Sequence, residues 1–186
     1  MEMTRDDAEK LLKQYVANDR MLNHCYAAEA VMRALARRLG EAEDKWAMAG
    51  LLHDIDIEVT DADLARHGLE AQKILAERGV DPEIIDAVAM HNETTAGKKR
   101  STRFHHALAA GETITGLIIA TTLVYPDKKL ASVKTKSVVK RMKEKAFAAS
   151  VNRDVIMECE LIGIPLNEFA ELSIAAMLGI SDTLGL

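Results

Sequence analysis

The sequence predicts an all-α protein, a single domain of about eight or nine helices, and three observations support this prediction. Aromatic residues make up only 4% of the 186 residues, whereas 48% are hydrophobic and many of these are Ala or Leu, a composition that favours helices over a β-sandwich. Apolar residues recur at helical spacing, as in the stripe Ala28, Val31 and Leu35. Capping residues and terminal glycines punctuate the chain from end to end. The length fits one domain, 1–186.

Several of the predicted helices have a clear start or stop signal. Thr4 caps the first helix, and Gly40 ends the second. The fifth begins at Asp81-Pro82, because a capping carboxylate followed by proline is a common helix start. The expected helices cover about 5–18, 20–39, 43–53, 61–78, 82–91, 104–124, 130–147, 153–162 and 165–180.

Composition and charge argue against several classes of protein. Cys25 and Cys159 stand far apart without a CxxC spacing, so neither a disulfide framework nor a zinc ribbon is predicted. The charged N-terminus lacks a signal-peptide core, and the apolar run 117–125 is too short to span a bilayer. We therefore expect a cytoplasmic protein without membrane association. The net charge of −5 argues against extended nucleic acid as a partner.

Four of the six histidines fall on apolar faces of predicted helices: His24, His53, His67 and His91. A single buried imidazole is normally satisfied by hydrogen bonds, so a structural all-α protein with satisfied core histidines is one interpretation. Four on consecutive helices favour a shared metal, because each unpaired nitrogen would cost about 1–3 kcal/mol. Asp54, at the end of an apolar helix, also requires a cation. Imidazoles with a carboxylate form a ligand set for Mn, Fe, Co, Ni or Zn.

The order of these residues resembles the HD-domain metal-dependent phosphohydrolase superfamily, whose pattern is a histidine, a His-Asp pair and a later aspartate. Here the first histidine is His24, and the pair is His53-Asp54 in a Leu-Leu-His-Asp-Ile context. His67 and His91 resemble the subset with extra histidines, which tends to bind two metals. The resemblance implies an HD-like helical core at about 20–126. The remainder, 127–186, is then a helical extension that packs on this core.

The final carboxylate departs from the family pattern, because Glu112 stands at the position expected for aspartate, just before Thr-Gly-Leu-Ile. We expect Glu112 to bind metal; the alternative is a carboxylate that acts only through water or towards the basic segment. The resemblance then implies one or two divalent ions (Fe, Mn, Ni, Co, Zn or Mg). The first would be held by His24, His53, Asp54 and Glu112. The second would share Asp54 and add His67 and His91.

The implied activity is hydrolysis of a phosphate mono- or diester, with a nucleotide as the favoured substrate class. In such enzymes a hydroxide formed on the metal attacks phosphorus. His53 and Asp54 would be the catalytic pair. The alternative is an inactive or regulatory HD module that binds a nucleotide or RNA, which the Glu112 change and the lysine-rich helix support.

Further polar residues are assigned supporting roles. Asp56, Glu93, Asn92 and His106 are candidates to orient the ligands, although solvated side chains are an equally good interpretation. The net charge of −5 conceals a segment, 127–145, with eight basic and two acidic residues. It is either a solvated surface or a rim that attracts phosphate. The residues predicted to hold substrate are Arg103, Lys128 and Lys129. We expect a small phosphorylated partner and a possible homodimer.

Overall fold

The computed structural model describes residues 3–186, and none of these lies in a β-strand, as the all-α prediction requires. Eleven α-helices are joined by turns and two 3-10 segments, Leu130–Ser132 and Met157–Ile162. The helices are α1 (Arg5–Tyr15), α2 (Asp19–Leu39), α3 (Glu43–Leu52), α4 (Leu69–Glu77), α5 (Pro82–Met90), α6 (Glu93–Ala96), α7 (Arg103–Leu123), α8 (Thr135–Arg141), α9 (Arg153–Ile156), α10 (Leu166–Leu178) and α11 (Ser181–Leu184).

The two longest helices, α2 and α7, form the centre of the fold. α3 packs closely on α2 because Gly50 has no side chain. A Cβ there would lie 2.6 Å from the carbonyl oxygen of Ala28. Gly111 of α7 plays a similar role, since its Cβ would lie 3.1 Å from the sulfur of Met32. These approaches bring α2, α3 and α7 together.

The fourth helix is shorter than predicted, because α4 begins at Leu69 rather than near 61. Residues 61–68 form turns, in which Asp61 and Ala62 have φ of 52° and 55°. Left-handed residues interrupt helical hydrogen bonding. His67 therefore lies in a turn before α4, not on a helix face, and Leu64 is exposed.

The seventh and eighth predicted helices also differ from the structure. Within 130–147 only α8 is α-helical, and residues 142–152 form turns. The guanidinium of Arg153 binds carbonyl oxygens of this segment, and Ala148 has φ of 44°. The predicted helix at 153–162 is the four-residue α9 followed by a 3-10 segment. The loop predicted at 92–102 contains the short helix α6.

The C-terminal helices pack on the centre of the fold. α10 contacts α2, α7 and α8, and the segment Met157–Ile162 packs on α7. α7 has the length and hydropathy of a membrane span, but 61% of its apolar window is buried inside the protein. Burial of this kind is typical of a core helix.

Candidate metal centre

Two histidines of the centre stand at helix ends, where local chemistry orients them. His53 directly follows α3, and His91 directly follows α5. The last carbonyls of a helix have no partner within it, and each histidine satisfies one of them. His53 Nδ1 donates to the carbonyl oxygen of Gly50 at 2.7 Å, and His91 Nδ1 donates to that of Val88. Both rings therefore turn Nε2 towards the centre.

The other two histidines are oriented by side chains. His24 of α2 donates through Nδ1 to the Thr115 hydroxyl at 3.0 Å. That hydroxyl gives its own proton to the Glu112 carbonyl oxygen at 2.6 Å, so it accepts from His24. His67 Nδ1 donates to Asp56 at 2.7 Å. All four rings thus present Nε2 inwards.

The four Nε2 atoms form two pairs with one carboxylate between them. The His24 and His53 nitrogens are 3.0 Å apart, and those of His67 and His91 are 2.9 Å apart. Asp54 Oδ2 lies 3.5 and 3.4 Å from the first pair, and its Oδ1 lies 3.2 and 3.4 Å from the second. One carboxylate therefore faces both pairs, one oxygen to each.

Glu112 completes the first of two ligand groups. Its Oε2 lies 3.6 Å from His24 Nε2. The first group, here called the open half, comprises His24, His53 and Glu112. The second, the buried half, comprises Asp54, His67 and His91. The structure thus brings together all six residues predicted as metal ligands.

Strong electrostatic coupling accompanies this geometry. Burial alone would raise the pKa of Asp54, but His53, His67 and His91 hold it well below its usual range. Burial likewise opposes charge on His67, yet Asp54 and Asp56 outweigh it and raise its pKa to about 10. For Glu112, burial is outweighed by the hydrogen bond and charge of His24 and by other nearby histidines, and its pKa is lowered. The carboxylates are therefore ionised at neutral pH.

Positive charge must lie between the facing nitrogens, because two lone pairs that point at each other repel. A proton or a metal ion can supply it. Imidazole nitrogens with carboxylate oxygens suit Mn, Fe, Co, Ni or Zn. Two ligand atoms bound at about 2.1 Å and at right angles lie about 3.0 Å apart, which matches the separation within each Nε2 pair. The residues present therefore fit two divalent ions.

The two halves differ in their access to solvent. The side chains of His67 and His91 are each 6% exposed, whereas His24 and Glu112 are 20% and 19% exposed. Solvent and any ligand therefore reach the centre from the side of α2 and α7.

Of the residues predicted to orient ligands, Asp56 makes the most direct contact. Its buried carboxylate accepts from His67 and from the backbone N–H groups of Gly68 and Ala71. Asn92 acts on the same turn, because its side-chain amide donates to the carbonyl oxygens of Leu64 and His67.

Glu93 and His106 lie in a separate network. Glu93 accepts from the backbone N–H of Arg100, and His106 pairs with Glu158 at 2.7 Å. Neither forms a hydrogen bond with the four inward-facing histidines in the part of the chain that the structure describes.

The predicted substrate-binding residues lie away from the centre. Arg103 pairs with Glu41 at 2.9 Å at the start of α7. Lys128 and Lys129 follow its other end, and Leu123 alone is about 16 Å along the helix axis from Glu112. The structure does not bring these three cations together with the metal ligands.

Two residues near the centre were not predicted from the sequence as parts of the site. Thr115 fixes the ring of His24, and its place on the same helix face as Glu112 was an available signal. Arg100 is nearly buried, and it binds Glu158 and the carbonyl oxygens of Met90 and His91. No local pattern reveals it, since its partners come from distant segments.

Comparison with known proteins agrees with this geometry. The model of the HD domain family matches residues 21–123, more than half of the 186-residue chain, and the chain belongs to this family. The match spans the inward-facing histidines, Asp54 and Glu112. The superfamily consists largely of metal-dependent phosphohydrolases, although some members are inactive. No curated protein and no solved structure matched the chain.

Proposed function

We propose that this protein is a two-metal phosphohydrolase that cleaves a phosphate mono- or diester of a small nucleotide. The observation that carries the proposal is the position of Asp54. Its two carboxylate oxygens face two separate pairs of imidazole nitrogens, at 3.2 to 3.5 Å. A carboxylate in this position could contribute one oxygen to each of two neighbouring ions.

In this proposal the open half holds one ion through His24, His53 and Glu112, and the buried half holds the other through His67 and His91. Divalent ions at such a centre lower the pKa of bound water and neutralise charge on phosphoryl oxygens. Asp54 is shared between the halves. The substrate enters beside His24 and Glu112, which are the most exposed of the six ligands.

The other side chains hold this centre in one arrangement. Asp56 and Thr115 accept the Nδ1 protons of His67 and His24, which turns each Nε2 towards the centre. The carbonyl oxygens of Gly50 and Val88 do the same for His53 and His91. Because every ring is oriented beforehand, little rearrangement is needed when metal binds.

The test combines elemental analysis with a substrate panel. Protein reconstituted with Mn, Fe, Co, Ni, Zn or Mg should hold two ions per chain and hydrolyse at least one compound among mononucleotides, cyclic nucleotides and dinucleoside polyphosphates. A firm value of one ion per chain would refute the two-metal proposal. Persistent inactivity with metal bound would favour the regulatory module instead.

A further inference from the structure

A largely buried ion pair joins the metal-binding part of the chain to its C-terminal part. Arg100 lies in the connection between α6 and α7, and Glu158 lies in the 3-10 segment Met157–Ile162. Their side chains are 7% and 15% exposed. Arg100 donates to the Glu158 carboxylate through Nε at 2.8 Å and through Nη2 at 2.6 Å. Glu158 lies outside residues 21–123, so the pair adds a residue from beyond the family match.

The same guanidinium group holds the end of α5. Arg100 Nη1 donates to the carbonyl oxygen of Met90 at 3.1 Å and to that of His91 at 3.3 Å. The last carbonyl groups of a helix have no partner within it, and a cation placed there interacts favourably with the helix dipole. The His91 ring donates to the Val88 carbonyl oxygen. Arg100 therefore fixes the main chain at His91, while Val88 fixes its ring.

The position of Arg100 depends on the charge of Glu158. A buried guanidinium group is costly unless a counter-ion lies beside it, and the Glu158 carboxylate is that counter-ion. The Glu93 carboxylate lies farther away, at 3.8 Å from Arg100 Nε, and its side chain is 40% exposed. Without the Glu158 charge, Arg100 would be drawn towards Glu93 and solvent, away from the carbonyl groups of α5.

Glu158 is itself held in place from a second side. His106 of α7 donates through Nδ1 to its carboxylate at 2.7 Å. Burial alone would raise the pKa of Glu158, but the hydrogen bonds and charges of Arg100 and His106 outweigh burial and lower it. The carboxylate is therefore ionised at neutral pH. It connects the C-terminal segment both to α7, which carries Glu112, and to the end of α5.

We propose that Glu158 is a positioning residue for the metal centre: together with Arg100 it fixes the main chain at His91, and thereby the place of His91 Nε2 in the buried half. The path runs from the Glu158 carboxylate to the guanidinium group and on to the carbonyl oxygen of His91. His67 of the same half is held separately, by Asp56. The proposal rests on the metal-binding part of the proposed function and does not require hydrolysis.

Metal titration of two matched variants tests the proposal. Glu158→Gln keeps the size of the side chain but removes its charge. We expect one of the two ions to bind about tenfold more weakly and the other to keep its affinity within about twofold. Glu168→Gln is the control, because Glu168 also joins the C-terminal part to α2 through Arg38, but their side chains are 38% and 47% exposed. It should leave both affinities unchanged.

A second variant and a spectrum separate positioning from simple stabilisation of the fold. Arg100→Lys keeps the charge but replaces three donor nitrogens by one, so it cannot bind the carbonyl groups and the carboxylate together. It should reproduce the loss of about tenfold. In both variants the visible absorption of cobalt-loaded protein should change, because it depends on ligand geometry. Unchanged affinities and spectra in folded Glu158→Gln and Arg100→Lys, or an equal loss in Glu168→Gln, would overturn the proposal.

Nuclear magnetic resonance of metal-free protein with isotope-labelled histidine separates this proposal from the proposed function. Glu158→Gln should shift the ring signals of His91 more than those of His24, whose ring is held by Thr115. That result would support the positioning role even if the natural protein bound no metal, which would refute only the proposed function. Two bound ions in the natural protein, with His91 signals unchanged in the variant, would refute only the positioning role.

Discussion

The two halves of the metal centre are built differently. The buried half comes from 38 consecutive positions, 54–91, and its rings are oriented by Asp56 and by the end of α5. The open half joins α2, the end of α3 and the middle of α7 across 89 positions, 24–112. Only the open half has ligands with substantial exposure.

This difference suggests a division of labour. Under the proposed function, we expect the half assembled from one local segment and shielded from water to retain its ion more firmly. We expect the half assembled from distant helices at the protein surface to exchange ligands with solvent and to meet substrate. Five predictions test this division, from the largest expected effect to the smallest.

The largest effect is expected for the residue that both halves share. Asp54→Asn keeps the side-chain size but removes the charge between the Nε2 pairs. It should lower occupancy of both ions and reduce hydrolysis by about 10³-fold, the equivalent of several kcal/mol of lost stabilisation. Asp44→Asn is the matched control, since Asp44 is 93% exposed. Loss of only one ion in Asp54→Asn would contradict the bridging role.

Glu112→Gln should affect the open half alone. The amide is a poor metal ligand compared with carboxylate, so metal content should fall from two ions to one while the buried half stays filled. Activity should fall by about 10²-fold. Elemental analysis and metal titration measure the change. If the variant still bound two ions with unchanged affinity, Glu112 would not be a metal ligand.

Asp56→Asn probes the buried half. The carboxylate fixes His67 and accepts two backbone N–H groups, and outer partners of this kind typically contribute 10- to 100-fold to metal affinity. We expect metal affinity to fall by about 100-fold, for one of the two ions only. If a competition titration showed that both ions lose affinity equally, the two halves would not be separate.

Metal affinity of the buried half should rise with pH. The pKa of His67 is raised to about 10 from 6.5, so its proton stabilises the metal-free fold fully below pH 6.5 and less as pH climbs towards 10. Metal must displace that proton, so affinity should increase by up to about tenfold per pH unit across the same window. Calorimetry in buffers of different ionisation enthalpy should register proton release, and a pH-independent affinity would contradict the coupling.

The smallest effect is expected for Thr115→Val. The substitution keeps the shape but removes the hydroxyl that accepts from His24. A neutral hydrogen bond contributes about 1 kcal/mol, which corresponds to about a fivefold loss of affinity in the open half. Thr122→Val is the control, since its buried hydroxyl donates to the Ile118 carbonyl oxygen of the same helix and to none of the six ligands. If Thr115→Val lowered metal affinity more than Asp56→Asn does, the open half would depend on its outer hydrogen bonds more than the buried half, which is the opposite of what we expect.

Much of the centre was predictable, because its ligands obey local rules. The His53-Asp54 pair ends an apolar helix, and His91 follows a helix whose start at Asp81-Pro82 is visible in the sequence. His24 belongs to the apolar stripe of a helix that ends at Gly40. In each case the position depends on helical periodicity and capping, which operate over a few residues.

Other features depended on contacts between distant residues. His67 was expected on a helix face, yet left-handed residues and the carboxylate of Asp56 place it in a turn. One helix was expected at 130–147, yet α8 ends at Arg141 and the residues after it form turns whose carbonyl oxygens bind the guanidinium of Arg153.

The sequence by itself determined the helical class, the ligand types and the order in which they occur. Only the tertiary structure decided that Asp54 lies between the two Nε2 pairs and that Thr115 orients His24. The physical reason is that periodicity and capping act along the chain. The separation of two side chains is set by how glycines such as Gly50 let helices approach.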